Sequence, residues 1–341
     1  MVVIFQSILW LIFGIIIYRE KVVTSNTPSL LGRILYWIGM PLQIFYLARQ
    51  SDFADIAWLP PIVMVMALLS GLGTCLLILR LFKQLLPSDH VRIMLSHPSE
   101  SSAIVKVESD ALTVRMRVYQ DLSLPKTRKE VGGFILASIL GNTGFIGLAL
   151  IPPLISQSYW SWVVLYGVAH NILGSYGLGV LVADYYSPSV QKKNWRQQLY
   201  KLLFLPSLWA FAYGYTSREL SLPSFIDIAI EKAVLLLIPG AFVLIGMELS
   251  KLQQWQNLRS GIFPTLVKML IIPGIVGLGL TILGISGDKR LVLVLMSSMP
   301  TAFASVILSE AYNLDRNVAA SSILLSTLSL PIVLSLWLVI F

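Results

Sequence analysis

Charge is scarce in this chain. Of 341 residues only 12% are Asp, Glu, Lys or Arg, while 56% are hydrophobic. Soluble domains carry about 25% charged residues. A water-soluble core could not hide this much apolar surface, and the mean hydropathy of +0.78 points to an integral membrane protein. Cysteine is nearly absent: a single Cys75 excludes any disulfide within the chain, and its apolar surroundings make it a packing residue. Histidine is almost as rare, with His90, His97 and His170 only. No Gly-x-Ser-x-Gly, phosphate-loop or His-Glu-x-x-His pattern occurs. The expectation is therefore a non-enzyme without catalytic residues, cofactor or metal site. No aromatic-basic module accompanies the net charge of +8, so the excess of Lys and Arg reads as cytoplasmic loop charge, not as affinity for nucleic acid.

Long hydrophobic runs are what the chain does have. A spanning helix needs about 20 mostly apolar residues. Ten segments qualify by that measure: 2–18, 30–48, 57–81, 131–151, 160–183, 199–217, 224–249, 261–284, 290–311 and 317–340. The first, Val2 to Tyr18, lacks a basic leader and a small-residue cleavage site, so it reads as a span and not as a signal peptide. The odd-numbered loops hold most of the Lys and Arg, which places them in the cytoplasm and both termini outside. Ten segments divide into five and five, and an odd number per half inserts the second half upside down. The expected fold is thus an all-α membrane protein of ten transmembrane helices, a 5+5 inverted repeat whose broken helices 4 and 9 cross. Its first half would be 1–185 and its second 198–341. Between segments three and four, residues 85–130 form a cytoplasmic insertion. Two alternating stretches there, Ala103–Glu108 and Leu112–Val118 around Ser109-Asp110, read as a β-hairpin or as an ordered linker.

Segments four and nine are the ones most interrupted. Gly141-Asn142-Thr143-Gly144-Phe145-Ile146-Gly147 lies inside an apolar run, and unpaired backbone at membrane depth costs several kcal/mol in hydrocarbon. Segment nine carries Ser297-Ser298-Met299-Pro300-Thr301, where Pro300 breaks the helical ladder. Paired interruptions of this kind point to a substrate site between discontinuous helices; close helix packing is the plainer alternative. The candidate binding residues are Asn142, Thr143, Gly144, Asn171, Ser298, Pro300 and Thr301. His170 in the middle of segment five reads as a fixed interhelical bond. Among charged residues, Asp184, Glu248, Glu231, Lys232 and Lys268 lie in or near spans, where an ionisable group is a functional candidate by default unless it snorkels to the interface. No deep Asp-Asp pair is present.

The chain resembles the auxin efflux carrier family, which includes plant PIN carriers and bacterial organic-acid carriers. Gly141 to Leu148 is similar to that family's fourth-helix signature, Ile238 to Ser250 to the end of its seventh, and Met299-Pro300, Ser309 to Asn313 and Ser326 to Pro331 to its ninth and tenth. The resemblance spans nearly all of the chain except the third loop. It implies a scaffold of helices 1, 2, 6 and 7 and a moving set of helices 3–5 and 8–10. It places Asn142 and Thr143 at the substrate, Pro300 at the opposing crossover, and Asn171 and Tyr176 on the fifth helix. The chain departs from the family in carrying Ala149 where a proline is usual, with Pro152 and Pro153 following. Its insertion also lies between segments three and four, whereas the plant carriers have theirs between five and six.

The expected function is secondary transport of a small organic anion, auxin-like or another carboxylic acid, by elevator-type alternating access in the plasma membrane. The expected partners are that anion and the lipid bilayer, with a homodimer left open and no nucleic acid. Two alternatives stand beside it: a cation-coupled symporter of another solute, and a membrane sensor or partner-binding subunit with the hairpin as output.

Overall fold

The computed structural model describes residues 2–53, 57–85, 125–188, 204–251 and 258–341. The hairpin expected within 99–122, and nearly all of the 85–130 insertion around it, lie outside them. Everything regular in the described residues is helical: α1 Val2–Arg19, α2 Thr27–Gln50, α3 Leu59–Leu85, α4 Arg128–Ile139, α5 Thr143–Leu154, α6 Gln157–Tyr186, α7 Pro206–Thr216, α8 Ser224–Lys251, α9 Leu258–Ile282, α10 Asp288–Ser297, α11 Phe303–Ala311 and α12 Arg316–Ile340.

Local chemistry sets the ends. The Thr127 hydroxyl accepts from the Glu130 N–H at 3.2 Å to open α4, and Asp315 accepts from the Asn317 N–H at 2.8 Å to open α12. Both satisfy donors that a first helical turn leaves unpaired. Pro28 and Pro206 lie in the first turns of α2 and α7, where a missing N–H is harmless. Gly287, at φ +62°, makes the left-handed turn into α10.

The expectation of ten spanning helices is corrected by the structure. Six helices among the described residues are long and apolar enough to cross a membrane: α2, α3, α6, α8, α9 and α12. Hydropathy counts apolar residues whether or not they form one unbroken rod, and this is where it overcounts. Segments four and nine are split into α4 with α5 and α10 with α11; α7, in segment six, has 11 residues. None of α4, α7, α10 and α11 exceeds 12 residues, about 18 Å of helix against a hydrocarbon core of about 30 Å. Six spans do not divide into two sets of five, so the 5+5 inverted repeat falls with the count. The chain is an all-α, integral, multi-pass membrane protein. Its outer faces agree: Leu236, Ile282, Ile332 and Val339 are apolar and exposed, as lipid-facing side chains are.

Packing is densest where side chains vanish. A methyl group on Gly246 of α8 would sit 2.1 Å from the Leu11 carbonyl oxygen, and one on Gly14 of α1 would sit 2.3 Å from the Val243 oxygen. The two helices therefore touch backbone to backbone, the membrane mode in which small residues replace the hydrophobic effect as the cause of association. α2 packs on both α7 and α8. The main core centres on Ile135, Leu136, Trp162, Tyr166, Leu293 and Leu324, all buried, and α1, α2 and α8 join it through Leu11, Ile44 and Phe242.

Candidate functional site

The two interruptions meet. Leu140, extended at φ −85° and ψ 114°, ends α4; Ala302, at φ −77° and ψ 147°, precedes α11. Between them Gly141 and Thr301 pair as a single antiparallel bridge. The Asn142 N–H donates to the Pro300 oxygen at 2.7 Å, and the Ala302 N–H donates to the Leu140 oxygen at 2.9 Å. Each break thus supplies hydrogen-bond partners to the other, as membrane-depth backbone must have.

Side chains complete the satisfaction. The Gly141 N–H donates to His170 Nε2 at 3.2 Å. An accepting ring nitrogen carries no proton, so this imidazole is neutral. The Thr301 N–H donates to Ser326 Oγ at 3.1 Å, and Thr301 Oγ1 lies 2.9 Å from the Ala137 oxygen and 2.7 Å from Ser322 Oγ. Lys268 Nζ donates to the Ser297 oxygen at 2.6 Å. Thr301→Val keeps the shape and removes the hydroxyl. The expected loss is about 1–3 kcal/mol, the usual penalty for orphaned buried partners, read as a lowered thermal midpoint of the purified protein.

Beside this crossover lies a cavity of about 200 Å³. Both short helices that leave the crossover present their first turns to it: Thr143, Gly144 and Phe145 of α5, and Phe303 and Ala304 of α11. First-turn N–H groups lack intrahelical acceptors and form the positive end of the helix. Asn142 joins them. Its Oδ1 accepts from the Phe145 N–H at 3.2 Å, while its Nδ2 has no protein partner among the described residues and belongs to a side chain that lines the cavity. The remaining wall is mixed, with Tyr36, Met40, Asn171, Ser175, Tyr176, Ile307 and Leu308. Tyr36 and Tyr176 share a hydroxyl–hydroxyl bond of 2.9 Å. A second, larger cavity of about 630 Å³ adjoins and shares Tyr36, Phe145, Phe303 and Ile307; Arg33 and Glu248 also line it.

Of the residues singled out from sequence, Asn142, Thr143, Gly144 and Asn171 come together on the smaller cavity. Asn171 also donates to Ser207 Oγ of α7 at 3.3 Å. Ser298, Pro300 and Thr301 do not reach that wall. They are tied up in the crossover itself, Ser298 through its hydroxyl to the Leu295 oxygen at 2.8 Å. Among the charged candidates, Asp184, Glu231 and Lys232 are exposed and Glu248 pairs with Lys251 at 2.9 Å. Lys268 alone of these is deeply buried. Sequence reading missed Tyr36, Ser175 and Phe303 as wall residues. The wide-pitched stretch His170–Leu178 in α6, a π-type distortion frequent at functional sites, carries Asn171, Ser175 and Tyr176, and its Gly174-Ser175-Tyr176-Gly177 run is the signal in the sequence.

Comparison with known proteins bears on what such a cavity serves. The profile of a family described as "Membrane transport protein" matches residues 189–338. The chain is also similar to an uncharacterized transporter of Methanocaldococcus jannaschii, 27% identical over 213 residues that cover 61% of this chain and 68% of the relative. An uncharacterized transporter of Methanothermobacter thermautotrophicus is 26% identical over 213 residues, covering 61% and 67%. Six apolar spans and these likenesses together make the chain a membrane transport protein, similar over its second half to the family of that description.

Proposed function

We propose that the protein is a secondary carrier of a small organic anion with an apolar body, and that the cavity beside the crossover is its binding site. The observation that carries this reading is the convergence of two helix N-termini and the Asn142 amide on one space. Such ends favour negative charge without a full cationic side chain. Met40, Phe145, Phe303 and Ile307 would cover the apolar part of the solute, and the adjoining cavity gives room for more of it. An auxin-like acid or another carboxylic acid has this character, in keeping with the resemblance to auxin efflux carriers.

The position of the cavity supports alternating access. Tyr36 and Met40 come from α2, the rest of its wall from α5, α6, α11 and the breaks. α1 packs mainly on α8, and α2 on both α7 and α8, so these four helices would serve as a frame. The others would carry the site past it, elevator fashion, breaking and remaking the Tyr36–Tyr176 bond. The test is counterflow in proteoliposomes with a panel of labelled monocarboxylates and dicarboxylates, including indole-3-acetate and malate. Saturable exchange of at least one is expected, with Asn142→Ala reducing it at least tenfold. No exchange of any acid by folded wild-type protein rejects the anion reading. Flux that rises with an imposed sodium gradient would favour the symporter alternative.

A further inference from the structure

One group in the crossover does more than fill space. Lys268, on α9, is 3% exposed at a depth where ionisable residues are rare. None of the ion pairs among the described residues involves it. Its Nζ instead donates at 2.6 Å to the carbonyl oxygen of Ser297, the last residue of α10. That oxygen belongs to the negative end of a helix whose final carbonyls have no intrahelical donors. The path of the side chain is enforced from the other side: a methyl group on Gly141 would stand 2.7 Å from Lys268 Cε and 3.0 Å from Nζ. The ammonium is therefore lodged between the two breaks. It touches the carbonyl end of α10 and lies against the Gly141 backbone, whose N–H is held by the neutral His170 ring.

Carbonyl ends of half-helices and unwound backbone are where broken-helix carriers bind a monovalent metal cation. We infer that the Lys268 ammonium is the resident cation of this crossover, delivered by a tether in the place that a sodium ion would otherwise take. The consequence is a crossover that assembles without dissolved metal ions. This inference stands on the crossover geometry and not on the identity of the transported solute.

The experiment is thermal unfolding of the full-length protein in detergent, at equal ionic strength in choline chloride, sodium chloride or ethylammonium chloride. Wild type should melt at one temperature in all three. Lys268→Ala should melt several degrees lower in choline, and ethylammonium should restore most of the loss saturably by refilling the vacated space with an ammonium group. Recovery by sodium as well would support the same role; recovery by neither cation overturns it. Lys268→Arg and Lys268→Met are measured alongside, because neither opens a cavity. The arginine variant is expected to be the more stable, and methionine equal to or above arginine overturns the inference whether or not the alanine variant folds. Saturable stabilisation of wild type by sodium overturns it too, since a metal site would then exist beside the lysine.

Discussion

Asn142→Asp should abolish transport and leave the protein folded. The substitution keeps an oxygen where Oδ1 accepts from the Phe145 N–H at 3.2 Å, so the cap that starts α5 survives. The added charge faces the positive end of a helix, which stabilises an anion there. What changes is the other atom of the side chain group. The amide Nδ2, a donor on the cavity wall, becomes a second carboxylate oxygen. An incoming anion would then meet a like charge. At about 4 Å and an effective dielectric constant of about 20, the repulsion is about 4 kcal/mol, about a thousandfold in affinity. Initial rates of counterflow, with thermal midpoints measured on the same preparations, check the two halves of this expectation. Undiminished exchange at an unchanged midpoint would move the anion out of this cavity. Asn142→Ala is a less clean probe because it also removes the cap, worth about 1 kcal/mol.

Gly246→Ala should be the most damaging single methyl group on the α1–α8 contact. The new carbon would lie 2.1 Å from the Leu11 oxygen, 3.0 Å from the Ile15 nitrogen and 3.1 Å from the Gly14 Cα. All three are backbone atoms, so no rotamer change relieves the overlap and the helices must separate along their whole contact. Overpacking of this kind costs about 1–3 kcal/mol and occasionally more; with no side chain able to give way, the upper end is expected. Gly279→Ala is the matched control. Nothing lies within 4 Å of a methyl group there, and replacing a mid-helix glycine gains about 0.5–1 kcal/mol. A drop in midpoint for Gly246→Ala with none for Gly279→Ala is the outcome that identifies backbone contact as the cause. Equal behaviour of the two would deny it.

How much of this was legible beforehand follows from the residue types involved. Gly141, Gly144 and Pro300 announce themselves, because glycine and proline in a membrane helix demand another source of hydrogen bonds. Asn142 could be read for the same reason. The partners that supply those bonds could not. Ser326 lies in an ordinary serine-bearing helix, and only the fold brings its hydroxyl 3.1 Å from the Thr301 N–H. Lys268 looked like one of several intramembrane charges until burial separated it from Lys232 and Glu231. Tyr36 carries no local signal at all; its role on the cavity wall depends on α2 approaching α6. The span count failed for a different reason. A window of apolar residues over 290–311 is the same whether α10 and α11 are one rod or two, and the extended Thr301-Ala302 turn between them has no hydropathy of its own.

The antiparallel pairing of Gly141 with Thr301 bears on motion. A proline kink standing alone can flex, since bending it breaks little. Here each interruption holds the other through Asn142 to Pro300 and Ala302 to Leu140, and straightening either strip would strand four peptide groups in a dry interior. The joint behaves as a rivet and not as a hinge. Whatever opens to admit a solute must give way at the rim, where α2 borders both cavities and α8 the larger one.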